Sequence, residues 1–196
     1  GLSDAQQAQL AKAYAGAQLC ADLAKQLTDK FTAEQLQQAQ NLLESPLAQQ
    51  FTAAERAVGE QEAQLASYRE QLSSRPPRAE RLALVQRLDQ AAQTTALATL
   101  LRYEVGKTQA VLALKAQGGS IDEATLSSKT TSQRDALQVS SQQGVQAFML
   151  FAYRQTPSDQ LAEYAALYEQ EPIKSLLSAS VAALPSVFAA RRAALK

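Results

Sequence analysis

The sequence predicts an all-α fold, a helical bundle built from two related helical halves, and three observations predict it. Alanine, glutamine and leucine dominate the 196 residues, while glycine and proline are scarce and tryptophan is absent, an inventory that forms helices and carries little strand signal. Apolar residues recur at the helical period along most of the chain. A capped short helix that stops at a proline occurs twice, as Phe31-Thr-Ala-Glu-Gln-Leu36 running to Leu42-Leu43-Glu44-Ser45-Pro46-Leu47, and as Thr156-Pro-Ser-Asp-Gln-Leu161 running to Leu167-Tyr168-Glu169-Gln170-Glu171-Pro172-Ile173. In each copy the proline is expected to open a second helix, because its missing N–H and fixed φ suit the first helical position and forbid the interior. The pair predicts a pseudo-twofold duplication.

Each element follows in order. Ser3 or Asp4 caps a first helix expected to run to Lys30, with Leu10, Ala13, Ala17, Cys20, Ala24 and Leu27 on one stripe. That stripe predicts a buried, unreactive Cys20. Thr32 caps the next helix with Gln35 at its third position, and Phe31 and Leu36 stand where a hydrophobic staple is made. Ser45-Pro46 ends it and opens a helix expected to reach Leu72. Ser73-Ser74-Arg75-Pro76-Pro77 is the clearest break in the chain. It places the boundary between an N-terminal half, 1–75, and a C-terminal half, 76–196, together forming one compact globular unit.

Beyond the break, helices are predicted over 78–90 and 95–116, the second apolar over much of its circumference and therefore central. Gly118-Gly119 ends it. Ser127 to Ser132 reads as a loop or a weak helical turn, since its hydroxyls compete for backbone hydrogen bonds. A helix over 133–153 ends in the dense run Phe148-Met149-Leu150-Phe151-Ala152-Tyr153. Thr156, Pro157 and Asp159 then supply cap, first and third positions for the second copy of the short helix, and Pro172 starts a last helix that Pro185 should kink or divide.

Composition closes several routes to chemistry. With no histidine there is no Ser-His-Asp relay, Cys-His pair or imidazole metal site. A single cysteine forms neither an intrachain disulfide nor a cysteine metal cage. No P-loop, Rossmann glycine fingerprint or EF-hand loop is present, and no cofactor is expected. Lys plus Arg and Asp plus Glu are equal at 19 each, which argues against a nucleic-acid footprint. The halves split −3/+3, an asymmetry that either orients them or simply reflects solvated helices. No run approaches the ~18 apolar residues of a membrane span, so stable membrane insertion is not expected. The chain opens Gly1-Leu2-Ser3-Asp4 without an initiator methionine, as a trimmed chain or a mature one lacking its signal peptide would.

Two constellations carry what functional signal there is. Phe148, Phe151, Tyr153, Tyr164 and Tyr168 fall on two helices joined by a tight turn and must lie near one another. They form either the core of the C-terminal half or the lining of a pocket for a small apolar or lipid-like ligand oriented by tyrosine hydroxyls. Glu104 interrupts the apolar helix and is the best single acid for a hydrolase using carboxylates alone, yet Arg102, Lys107 and Lys115 stand close enough for an ordinary ion pair. Arg81, Arg87 and Asp89 read as a structural salt-bridge network.

The paired proline units resemble a bacterial family of secreted proteins, the domain of unknown function numbered 2059, whose hallmark is an aromatic-Tyr-x-Ser-Pro-x-Gly turn after a short helix. Ser45-Pro46 keeps the Ser-Pro, with leucines for both aromatics and Ala48 for glycine; Tyr168 and Pro172 keep the tyrosine and proline, with serine lost and a residue gained. The likeness covers residues 31–51 and 153–180, and more loosely Arg81 to Asp89. It implies an all-helical, exported, periplasmic protein of a Gram-negative bacterium; the family has no established activity, so it carries over no catalytic residues. In that family's motif the serine caps, the proline starts and the aromatic packs, so Thr32, Ser45, Pro46, Thr156, Pro157 and Pro172 read as structural. The expected function is non-enzymatic, through a protein partner or self-assembly. The alternative is a carrier of a small apolar ligand at the aromatic cluster.

Overall fold

The computed structural model describes residues 3–13 and 16–195, and among them there are ten α-helices and no strand. In order they are α1 (Asp4–Ala13), α2 (Gly16–Leu27), α3 (Ala33–Leu43), α4 (Pro46–Ala57), α5 (Glu62–Gln71), α6 (Ala79–Ala92), α7 (Thr94–Ala116), α8 (Glu123–Ala152), α9 (Ser158–Tyr168) and α10 (Ile173–Ala193). The fold is all-α, as composition and periodicity predict.

The chain forms two compact units, each assembled from separated stretches. The first comprises Gly1–Phe31, Ala96–Val139 and Ala179–Lys196, and the second Thr32–Thr95 and Ser140–Ser178. The Pro76-Pro77 break, expected to separate halves, lies inside the second unit. There it is a connection between α5 and α6, whose Leu65, Tyr68, Leu72, Leu82, Val85 and Leu88 all contribute to one core. Packing partners, not loop composition, set the division.

In the second unit that core gathers Phe51, Val58, Val85, Leu88, Met149, Phe151, Tyr153, Leu161, Tyr164 and Ile173, with α6 packed along α9. Thr32 makes the expected capping box: its Oγ1 accepts from Gln35 N at 3.1 Å while Thr32 N donates to Gln35 Oε1 at 2.9 Å. Ser45 caps α4 and Pro46 opens it. The helix expected to run on to Leu72 is interrupted by a 3-10 turn, Val58–Glu60, where Gly59 weakens the α-helical option. At the second proline unit Pro157, not Thr156, occupies the N-cap, with no side-chain capping bond. Pro172 follows a cis peptide and precedes α10 rather than opening it, its carbonyl accepting from Leu176 N at 3.0 Å.

In the first unit Leu100, Leu184 and Phe188 form a core on which Leu19, Leu23 and Leu97 pack. The inward stripe of α2 is therefore Leu19 and Leu23, both partly buried, and Leu27, which is buried as expected; the stripe expected through Cys20 is corrected at its alanines and cysteine. Cys20 is exposed, as are Ala17 and Ala24, because leucine recovers more transfer free energy from the core than alanine or cysteine would. The side chains of Leu10 and Ala13 lie outside the described residues. Thiol reagents are thus expected to label Cys20 rapidly and stoichiometrically in the native protein; labelling only on unfolding would show that the α2 register is wrong.

The Ser/Thr-rich segment is helix. Asp122 caps α8, its carboxylate accepting from Thr125 N at 2.9 Å and Thr125 Oγ1 at 2.7 Å. Thr130 and Thr131 turn their hydroxyls back to the carbonyls of Leu126 and Ser127 at 2.8 and 2.7 Å, so the hydroxyls join the helix instead of competing with it. Helix α10 continues through Pro185 without division. By length and composition it is long and apolar enough to cross a membrane, which corrects the expectation that no run approaches that length. It also presents Leu184 and Phe188 to the first unit's core and buries Arg192, while 28% of its most apolar window is buried.

Candidate functional site

The five aromatics singled out in the sequence are brought together in the second unit. Phe51, on α4, organises them: its ring stacks on Tyr164 with centroids 4.0 Å apart and planes 18° apart, and tilts against Tyr153 at 5.1 Å. Tyr164 meets Tyr168 edge-on at 5.1 Å, and Phe151 meets Tyr68 at 5.5 Å. Phe148 and Tyr168 are partly buried against the same core. The hydroxyls have partners: Tyr153 donates to Glu55 Oε1 at 2.5 Å, Tyr164 donates to the same oxygen at 3.3 Å, and Tyr164 and Tyr168 lie 3.3 Å apart, oxygen to oxygen. Burial, reinforced by the Glu55 carboxylate, pushes the Tyr153 phenol far up, and burial with the Tyr168 hydrogen bond does the same for Tyr164. Both phenols stay protonated across the ordinary pH range, which suits hydrogen bonding and not acid–base exchange.

In the first unit Glu104 is one corner of a four-charge ring. Its carboxylate takes Arg192 Nη1 at 2.6 Å and Lys107 Nζ at 3.2 Å, while Glu123 takes Arg192 Nη2 at 2.5 Å and Lys107 Nζ at 3.2 Å. The side chains of Glu104, Lys107 and Arg192 are 3, 6 and 2% exposed, against 43% for Glu123. Of the partners expected for Glu104, Lys107 is present, whereas Lys115 donates to the Leu195 carbonyl. The hydrogen bond from Arg192 is the main reason the Glu123 carboxyl lies below the usual glutamate value of 4.5, with burial opposing. Burial also works against the Arg192 charge, but its bonds to Glu123 and Glu104 move it upward on balance. Because the folded state lowers Glu123, its stabilising contribution is complete above pH 4.5 and is lost as pH falls through the depressed value. A thermal-melt series is expected to show an acid limb below pH 4.5 that Glu123→Gln flattens; an unchanged limb would remove Glu123 as its source.

Arg81, Arg87 and Asp89 do not form one network. Arg81 donates to the Tyr153 carbonyl and to Ser158 Oγ, Arg87 pairs with Glu169 at 2.5 Å, and Asp89 accepts from Thr95 N and Oγ1 at 2.7 and 2.5 Å where α7 begins. Spacing on α6 sends the three side chains to different neighbours.

The feature that sequence reasoning did not single out is a groove of about 640 Å³ in the second unit, between the end of α5, the start of α6 and one face of α8. Leu72, Leu82, Ala147 and Leu150 form its apolar floor, and Arg69, Gln143 and Gln146 are polar residues along it. Its volume falls within the ~300–1,000 Å³ of ordinary ligand sites. Gly144 lies in the interior of α8, in its C-terminal third, where glycine costs a helix roughly 0.5–1 kcal/mol relative to alanine. A Cβ there would stand 3.7 Å from Arg69 Nη2, so the missing side chain leaves the groove open beside the guanidinium. Among the described residues no carboxylate pairs with Arg69. The glycine inside the helix was the one signal in the sequence that pointed here.

Comparison with known protein families, characterised proteins and solved structures finds no match to this chain.

Proposed function

We propose that the protein is a non-enzymatic, exported binding protein that acts by engaging a protein surface, either a partner's or its own. The observation that carries this is the groove of the second unit: an apolar floor with polar residues along it and an unpaired guanidinium, held open by a helix-weakening glycine. Supporting it, the acids and hydroxyls best placed for chemistry already serve one another. Glu104 and Glu123 hold Arg192 and Lys107, and Glu55 holds Tyr153 and Tyr164. Periplasmic location belongs to the same reading and rests on the likeness to the secreted 2059 family. That reading also takes α3 with α4, and α9 with α10, as diverged copies of one helix-proline-helix unit, the two short helices being 11 residues each.

Gly144→Gln tests the reading, because it fills the groove from a position with room for a Cβ. The substitution is expected to raise stability by roughly 0.5–1 kcal/mol through helix propensity, so that lost binding is not lost folding. Affinity capture from periplasmic extract is expected to retain a protein on the parent chain and not on Gly144→Gln. The same proteins retained on both would defeat the groove as the binding surface.

A further inference from the structure

We propose that the groove of the second unit docks helix α3 of a second copy of this chain, with Leu36 and Leu43 on its apolar floor and Glu44 against Arg69. The proposal rests on reading the groove as the binding surface and names its occupant.

Two surfaces of the second unit, each incomplete alone, complement one another. Helix α3 turns Ala39 and Leu42 toward the core but leaves Leu36 and Leu43 39% and 36% exposed, although they are seven residues apart and so share one face. An apolar pair aligned on a helix face is the donor side of a helix-in-groove contact. The capping box at Thr32 and Gln35 fixes the helix start, so the donor needs little ordering on docking. The groove supplies the other side.

Size and charge agree. Leu36 and Leu43 stand about 10 Å apart along the helix axis, and the α8 residues lining the groove, Ser140 to Leu150, span about 15 Å. Glu44, the C-cap of α3, flanks the leucine stripe, and its carboxylate is bonded only at the surface, by Gln40 Nε2 at 3.0 Å. Arg69 offers that carboxylate a guanidinium that makes no ion pair of its own among the described residues, in a stretch where Arg75 and Arg78 are offset by Glu70 and Glu80. An exposed pair gains little in water, but closing the groove over it lowers the local dielectric and sets the register.

The two surfaces differ, so the contact is heterologous: each copy presents a free α3 and a free groove, and association continues beyond two copies unless a ring closes. One helix face in one groove also buries less than a standard interface of ~1,600 Å², which predicts weak, concentration-dependent assembly.

Sedimentation velocity of the full chain over a concentration series tests this. The parent is expected to shift to larger species as concentration rises. Leu36→Gln with Leu43→Gln removes the donor face and Gly144→Gln fills the acceptor, so each variant alone is expected to stay monomeric with an unchanged helical circular dichroism spectrum. Mixed, they are expected to form a one-to-one dimer and nothing larger, since only one intact donor and one intact acceptor remain per pair. Arg69→Glu is expected to abolish association, and Arg69→Glu with Glu44→Arg to restore it. A parent that remains monomeric, association that survives both variants, or a mixture that stays monomeric would overturn the proposal. If the parent is monomeric yet captures a foreign protein that Gly144→Gln loses, the groove stands and only its occupant is wrong; if Gly144→Gln changes neither readout, both readings fall.

Discussion

Glu104→Ala is expected to lower the unfolding free energy by about 3–5 kcal/mol, a loss on the scale seen when one member of a buried ion pair is removed. The carboxylate is 3% exposed and faces two buried cations, Arg192 at 2% and Lys107 at 6%. Without it Glu123 is the one carboxylate left in the ring for Lys107 and Arg192, beside the neutral acceptors Ser127 Oγ and the carbonyl of residue 104, and the desolvation cost of one positive charge is no longer matched by a negative one. Urea titration followed by far-UV circular dichroism measures the change. The ring reading also requires that Glu104→Met together with Arg192→Met cost clearly less than the two single changes added, because the double variant leaves fewer unpaired charges behind. Additive losses, or a Glu104→Ala cost under about 1 kcal/mol, would mean that the ring contributes no coupling.

That ring also shows where a sequence ceases to be informative. Glu104 stands out in a linear reading because it interrupts an apolar helix, and Lys107 follows from helical spacing. Arg192 lies 88 residues away and becomes a partner only through tertiary packing. Local signals were legible: the capping box at Thr32, the serine cap and proline start at Ser45 and Pro46, and the gathering of aromatics around Phe148 and Tyr168. Where two local options were nearly equal, packing chose between them. On α2 both the alanine-cysteine stripe and the leucine stripe satisfy the helical period, and the leucines won. At residues 127–132 intrinsic propensity argued for a loop or a weak helical turn, while the Asp122 cap and the neighbouring Leu126, buried in the first unit, held a full helix. The groove was illegible except for Gly144, since its walls come from three elements separated along the chain.

Phe51→Ala should be comparably severe, about 3–5 kcal/mol, by opening a cavity at the centre of the second unit. Phe51 is 1% exposed and its ring contacts both Tyr153 and Tyr164, so the void would lie between groups that cannot close over it without giving up the Glu55 hydrogen bonds. Tyr153→Phe is a milder companion, expected to cost about 1.5–3 kcal/mol for a lost bond to a charged acceptor. Thermal and urea unfolding read both. Should Phe51→Ala melt within a degree or two of the parent, the cluster already tolerates a void, and the carrier of a small apolar ligand becomes the better account of these rings.

The interleaving of the two units bears on how the chain is made. Leu19 and Leu23 are synthesised early, yet the Leu184 and Phe188 they pack on arrive only near the end of the described chain. The first unit therefore has Leu97 and Leu100 to set against α2 early but stays incomplete until the stretch from Ala179 is made, while all of the second is made by Ser178. Completion order runs against chain order, and the long interval before closure is the period in which a newly made chain has most need of a holding chaperone.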